Sequence, residues 1–354
     1  MKNEYLAVGV MSGTSLDGID LVAVKFSCKE EKWSFRIVCA ETVSYTPEWK
    51  SKLSEAICLP DPQLALLNEE YTTLLAIETG RFIKNFKLEQ VDAVCSHGHT
   101  VFHEPDKGKT FQIGNLPVLA TLVQKKVVCN FRIDDVALGG QGAPLVPIGD
   151  RLLFSDYDYC LNLGGFANIS FEKNLKRLAY DVCPVNVVLN HYAQKLGKEF
   201  DESGAMAARG KINHMLLEKL NSIDFYAKNP PKSLGMEWVK EEIFPILEAV
   251  PQDPKDILHT FCHHIATQLT LQFQPGSTVL VTGGGAYNNF LISCIQEKFS
   301  GKLVIPESLL IEYKEAVIFG LLGVLRLRNE INVLASVTGA SKNHSSGYIY
   351  LPES

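Results

Sequence analysis

The apolar residues of this chain fall in short blocks that stop at clusters of glycine and serine. Residues 5–11 (YLAVGVM) form a strand-like run, SGTSLDG (12–18) is a turn cluster, and IDLVAVKF (19–26) resumes with β-type alternation. That pattern predicts a hairpin over 8–26, with a third antiparallel strand in SFRIVCAETVSY (34–45). Leu, Ile and Phe at three- and four-residue spacing predict a helix over 64–86. Strands follow at VDAVCSH (91–97) and KVVCNF (126–131), with a loop over 98–116 between them. GGQGAPLVP (139–147) is a Gly/Pro-rich segment leading into a helix.

The opening pattern then returns. DYCLNLGGFANISFE (158–172) is again an apolar strand, a glycine turn and an apolar strand, which predicts a second domain on the same plan. Helices dominate 184–273, broken by the Pro/Lys-rich AKNPPKS (227–233). STVLVTGGGAYN (277–288) reads as a buried strand ending in a glycine turn before a helix, and a long apolar helix covers 313–328. Strands and helices in this order make an α/β protein of two domains, 1–150 and 151–354, with the last helix packing back on the first.

At 354 residues the chain exceeds what one core usually sustains, in keeping with two domains. A formal charge of −6 and the lack of any long Lys/Arg run argue against a nucleic-acid partner. Nine cysteines without a C-x-x-C pair read as free thiols of a reducing compartment. Residues 5–11 are too short for a signal segment, and AVIFGLLGVL (316–325) covers about half a bilayer. The expectation is a cytoplasmic protein without membrane contact.

Candidate chemistry begins at MSGTSLDGID (11–20). Gly13 and Gly18 permit a tight turn and close ligand approach, and Ser12, Thr14 and Ser15 add hydroxyls beside exposed N–H groups, as a phosphate cradle requires. Asp17 and Asp20 would repel phosphate unless a cation such as Mg²⁺ intervened. The same letters also suit an ordinary Ser/Gly-rich hairpin turn. Gly164 and Gly165 form a second such turn. Gly283, Gly284 and Gly285 form a third, lacking the last glycine of a dinucleotide fingerprint. Three glycine turns at strand ends suit a nucleotide held in a cleft between domains.

GKT at 108–110 is no P-loop, because the first glycine would fall at His103. His97, His99 and His103 share one polar segment without helical ligand spacing, which favours sugar contact over zinc. His263 and His264 read as half-buried helix residues. Asp181, at a strand end before a helix, is either a general base or a helix N-cap.

GVMSGTSLDGID, SHGHTVFHEP, FQIGN, NFRIDDVALGGQGAPLVP, LNLGGFANIS and VTGGGAYNN together resemble, in this order, the blocks of the anhydro-N-acetylmuramic acid kinases. The resemblance runs from about residue 8 to about residue 340 and implies the actin-like ATPase (ribonuclease H-like) fold, with ATP and Mg²⁺ between the domains. It implies a kinase that opens 1,6-anhydro-N-acetylmuramic acid with water and phosphorylates O6 in peptidoglycan recycling. Asp181 matches the catalytic aspartate. Ser12, Gly13, Thr14, Ser15, Leu16, Asp17, Gly18, Ile19 and Asp20, with Gly164 and Gly165, would hold the phosphates. Asp17 and Asp20 would serve the metal, and the turn within 279–292 (Gly283 to Gly285) the adenosine. Ser96, His97, Thr100, Arg132 and Asn186 would contact the sugar, with Arg132 on its lactyl carboxylate. Asp135 and Gln141 match family positions without an assigned role. Family members tend to be dimers, which implies a homodimer.

Three departures stand out. Val182-Cys183-Pro184-Val185-Asn186 replaces Thr-Gly-Pro-Gly-Asn, Asn130 replaces Asp, and His99 replaces Gln. They leave open a kinase for another amino sugar or sugar acid, and a nucleotide-binding module without turnover.

Overall fold

Alternation in the first 45 residues becomes a three-stranded meander: β1 (Glu4–Ser12), β2 (Gly18–Lys29) and β3 (Lys32–Ser44), each antiparallel to the next. The computed structural model describes residues 2–13, 15–104, 108–249 and 251–353. The chain divides into two units, residues 1–154 with 313–354, and residues 155–312.

In the first unit β4 (Ala93–Glu104) lies parallel to β1, and β6 (Val127–Cys129) parallel to β4. The segment 98–116, expected as a loop, is largely strand. β4 continues to Glu104 and returns as β5 (Lys109–Ile113), pairing His99 with Ile113. Phe102 and Phe111 stack across this hairpin at 5.4 Å, a cross-strand contact hidden behind the polar letters around it. The helix Asp61–Asn85 buries Leu64, Leu67, Tyr71, Leu75 and Phe82, a helical stripe, in one cluster with Val8, Val10 and Leu21 of the sheet.

The stretch 313–354 belongs to this first unit. Its helix, Ser308–Leu327, rests on β1 at Gly9, where a Cβ would stand 1.9 Å from the Ala316 carbonyl oxygen. Only glycine allows that approach. The strand Tyr348–Tyr350 pairs antiparallel with β6.

The second unit opens with another meander, β7 (Tyr159–Leu163), β8 (Phe166–Lys173) and β9 (Lys176–Pro184). β10 (Thr278–Thr282) then lies parallel to β7, and β11 (Lys302–Val304) parallel to β10. The order β11-β10-β7-β8-β9 repeats the order β6-β4-β1-β2-β3 of the first unit. Behind this sheet the helix Pro254–Thr270 buries Phe261, Ile265 and Leu269. His264 is buried too, bonded to Asn221 and the Tyr226 hydroxyl, as a core histidine. All nine cysteines are free thiols, and among the described residues no helix is long and apolar enough to cross a membrane.

Candidate functional site

In open α/β sheets ligands bind beyond the carboxyl ends of the parallel strands. At that end of the first unit β1 delivers Ser12, β4 delivers His97 and His99, and the chain leaving β6 delivers Arg132. Ser12 and His99 are register partners. The Ser12 hydroxyl points inward, 2.6 Å from the Tyr45 hydroxyl and 3.2 Å from His99 Nδ1, and Tyr45 in turn bonds Tyr71. All four side chains are buried, which holds the His99 pKa down to about 4 and raises both tyrosines. A hydrogen-bonded chain therefore anchors the start of the β1–β2 turn.

Thr14 lies outside the described residues. Ser15 and Asp17 are exposed, Gly13 and Leu16 half-buried, and Gly18 and Ile19 buried in β2. Leu16 adopts φ 60°, and its N–H reaches the Gly13 carbonyl at 3.4 Å. Asp20, half-buried on β2, accepts from the Thr42 hydroxyl at 2.7 Å, and Thr42 Oγ1 also lies 3.0 Å from the Tyr313 hydroxyl.

Arg132 is oriented by two neighbours. His97 Nδ1 lies 2.8 Å from the Gly98 carbonyl, which can only accept, so the ring proton sits on Nδ1. Nε2 must then accept from Arg132 Nε (3.0 Å) and Nη2 (2.9 Å), while Arg132 Nη1 donates to the Gly142 carbonyl at 2.7 Å. Burial, with Arg132 beside it, keeps His97 neutral, and burial lowers Arg132 to about 10, still a cation at neutral pH. Among the described residues one N–H on each terminal nitrogen remains for a ligand.

Asp135 acquires a role here. Fully buried, it accepts the Gly142 N–H and the Thr338 hydroxyl, each at 2.7 Å, and so clamps the glycine-rich loop that supports Arg132. Gln141 ties that loop again through its N–H to the Thr338 carbonyl at 2.8 Å. Ser96 is buried and accepts from the Gly98 N–H at 3.2 Å, so its hydroxyl shapes the β4 backbone. Thr100 is half-buried at the next outward position. Asn130 holds φ 60°, a left-handed conformation in which Asn and Asp are both enriched.

Sequence reasoning missed Glu315. It keeps solvent contact, and crowding by neighbouring atoms raises its carboxyl while Arg132 and Lys314 pull it down and Asp20 pushes it up. Its only signal was its place in the short charged stretch 312–315 at the start of a long apolar helix.

In the second unit the two glycine turns meet. Gly283, at φ 81°, stands where a Cβ would lie 2.5 Å from Asn162 Oδ1, and a Cβ on Gly285 would lie 2.7 Å from Leu163 Cβ. Gly284 between them is exposed. The Gly164–Gly165 turn accepts the Asn186 N–H (3.3 Å) and the Val185 N–H (2.8 Å), and Asn186 Nδ2 donates to the Leu163 carbonyl at 3.2 Å. Gly164, Gly165, Asn186 and the 283–285 turn are thus neighbours.

Asp181 is not a helix cap. The helix Asn186–Lys195 starts after Val185, without a side-chain cap. Asp181 lies on β9 opposite Asn168, and Cys183 opposite Ala167, so Val182 forms a bulge that re-aims the chain beside it. The carboxyl is half-buried and raised by desolvation, offset in part by the Leu234 N–H, which donates to Oδ2 at 2.9 Å. Val182, Cys183 and Val185 are buried in the core of the unit, so these departures fill apolar space.

The twice-built sheet, with glycine turns at its strand ends, defines an actin-like ATPase of the ribonuclease H-like type. Comparison with known proteins narrows this. The sequence profile described as anhydro-N-acetylmuramic acid kinase matches residues 5–352. A protein of that name from Shewanella putrefaciens is 33% identical, with 97% of both chains covered. Its namesake from Vibrio cholerae is 31% identical over 100% of each chain. The chain belongs to the anhydro-N-acetylmuramic acid kinase family. Among solved structures it is similar to the activator of 2-hydroxyisocaproyl-CoA dehydratase from Clostridium difficile with bound ADPNP, at 12% identity and a TM-score of 0.43 over 90% of this chain and 94% of that one.

Proposed function

We propose that the protein is an ATP-dependent kinase of 1,6-anhydro-N-acetylmuramic acid that acts in peptidoglycan recycling. The observation that carries this reading is the setting of Asp181, a desolvated carboxylate at a strand bulge with one oxygen held by a backbone N–H. A carboxyl that desolvation raises above its ordinary value is a stronger proton acceptor, as a general base requires. Asp181 takes a proton from the water that adds to carbon 1. The C1–O6 bond breaks as O6 bonds to the γ-phosphorus of ATP, and ADP departs. Capture of O6 by phosphoryl transfer does the work that a glycosidase assigns to its general acid.

The remaining roles follow the local geometry. Arg132, charged and oriented, grips the lactyl carboxylate, with Thr100 and the His97 segment beside it. In the first unit the turn between Ser12 and Gly18 is a phosphate contact, and in the second unit the Gly164–Gly165 turn is another. Gly283 to Gly285 let the adenosine approach the backbone, and Asn186 beside them contacts the sugar.

Among the described residues no group of three or more His, Cys, Asp or Glu is arranged to hold a metal alone. Mg²⁺ needs only one or two carboxylates when phosphates and water fill its shell, and Asp20 with Asp17 meets that need. Bound there, Mg²⁺ would neutralise phosphate charge. The same reading makes the enzyme a cytoplasmic homodimer that uses neither nucleic acid nor membrane.

The test is incubation with Mg-ATP and 1,6-anhydro-N-acetylmuramic acid in ¹⁸O-labelled water. One ¹⁸O at carbon 1 of a phosphorylated sugar is the expected product. A phosphosugar without the label would remove water as nucleophile, and no phosphosugar would remove this substrate and call for other amino sugars.

A further inference from the structure

β9 is the outer strand of its sheet, and its free edge would ordinarily be open. At Asp181 it is covered by the Pro/Lys-rich segment that follows Ala227. The Asp181 N–H donates to the Lys232 carbonyl at 3.1 Å, and the Leu234 N–H donates back to Asp181 Oδ2 at 2.9 Å. The segment grips one residue of β9 twice, once by its backbone and once by its side chain.

The segment is itself tethered. Lys232 Nζ lies 4.9 Å from the centre of the Phe225 ring and 5.8 Å from that of Tyr180, with the carbonyls of Phe225 and Tyr226 at 3.5 and 3.4 Å. Phe225 packs on Trp238, and the Tyr226 hydroxyl bonds the buried His264. Lys232 is thus fixed to a built part of the unit, and its carbonyl holds the Asp181 N–H.

We propose that residues 232–234 form a strap that positions Asp181, with the Leu234 N–H occupying Oδ2 and reserving Oδ1 to take the proton from water. The inference rests on Asp181 being the general base. Among the described residues no group donates to Oδ1, so the two oxygens differ. A carboxylate pinned by one oxygen cannot rotate its free lone pairs away from the reacting water, which preserves the attack geometry. The N–H also favours the ionised form and keeps desolvation from lifting the carboxyl out of the useful range. Leu234 and Lys232 are positioning residues, since neither is placed against substrate.

The experiment compares pH profiles of kcat for the full chain carrying a backbone ester at residue 234, which deletes the N–H and keeps the leucine side chain, with Leu234→Ala, which keeps the N–H. Nucleotide binding checks folding. Loss of the N–H is expected to move the acid limb up by about one pH unit, with a loss of about tenfold below that limb. The alanine variant is expected to keep the wild-type limb. Lys232→Met, which frees the strap, should shift the limb in the same direction by less. An unchanged limb in the ester would overturn the strap while leaving Asp181 as base. Retained turnover in Asp181→Asn would overturn the general-base reading instead, so the two failures are distinct.

Discussion

His97 accepts two hydrogen bonds from Arg132 through the same ring nitrogen, Nε2, at 3.0 and 2.9 Å. The pairing of a cation with a histidine works only while the ring is neutral, and burial together with the arginine's charge ensures that. The guanidinium plane is thereby fixed, with two N–H donors remaining.

His97→Ala should therefore act on the sugar and spare the nucleotide. Without the ring, Arg132 keeps its charge and its bond to Gly142 but gains rotational freedom. KM for sugars bearing the lactyl acid is expected to rise about tenfold, the loss of one acceptor shared by two N–H groups of a charged side chain, while KM for ATP stays near wild type. Arg132→Lys should raise KM more for lactyl sugars than for those without the acid, because a lysine cannot offer a planar fork. Steady-state kinetics with both sugar types decide it. Equal effects on the two would remove Arg132 from the carboxylate.

His99 gives a stability prediction with a definite sign. Its pKa falls from 6.5 to about 4 in the fold, chiefly by desolvation, so the unfolded chain binds a proton that the folded chain does not. The resulting stability is fully present above pH 6.5 and is lost as pH falls through about 4. The full loss is about 3 kcal/mol. His99→Gln removes this one term, so its stability should fall by about 3 kcal/mol less than wild type between pH 7 and pH 4. Denaturant unfolding at both pH values measures the difference, and parallel losses in the two proteins would contradict it.

The histidine pattern also shows how much the sequence could tell. The meander of β1 to β3, its recurrence at β7 to β9 and the glycine turns were legible because turn residues punctuate apolar runs. Hydrophobic period does not carry pairing between polar positions, so the β4–β5 hairpin escaped notice. Asp181 was legible as a candidate, but its choice between base and cap depended on where the following helix begins. Leu234 was not legible at all, since its contribution is a backbone N–H that any residue except proline would supply. Asp135 could be found but not assigned, because its partners are distant in sequence at Gly142 and Thr338.

Lys314 and Asp150 form an ion pair of 2.7 Å with side chains only 7% and 5% exposed. Lys314 lies on the helix Ser308–Leu327 and Asp150 on the helix Pro147–Leu153, and both residues belong to the first unit. In so dry a setting each charge has lost much of its hydration and the pairing offsets part of that cost, so removing one partner alone is strongly destabilising. Lys314→Met alone is expected to cost about 3–5 kcal/mol, and Asp150→Leu alone about as much. The double variant should recover most of that loss, because two apolar residues in similar volume need no partner. Denaturant unfolding of wild type, both single variants and the double variant closes the cycle. Additive losses in the double variant would show that the two residues stabilise the fold independently and that the pairing itself contributes nothing.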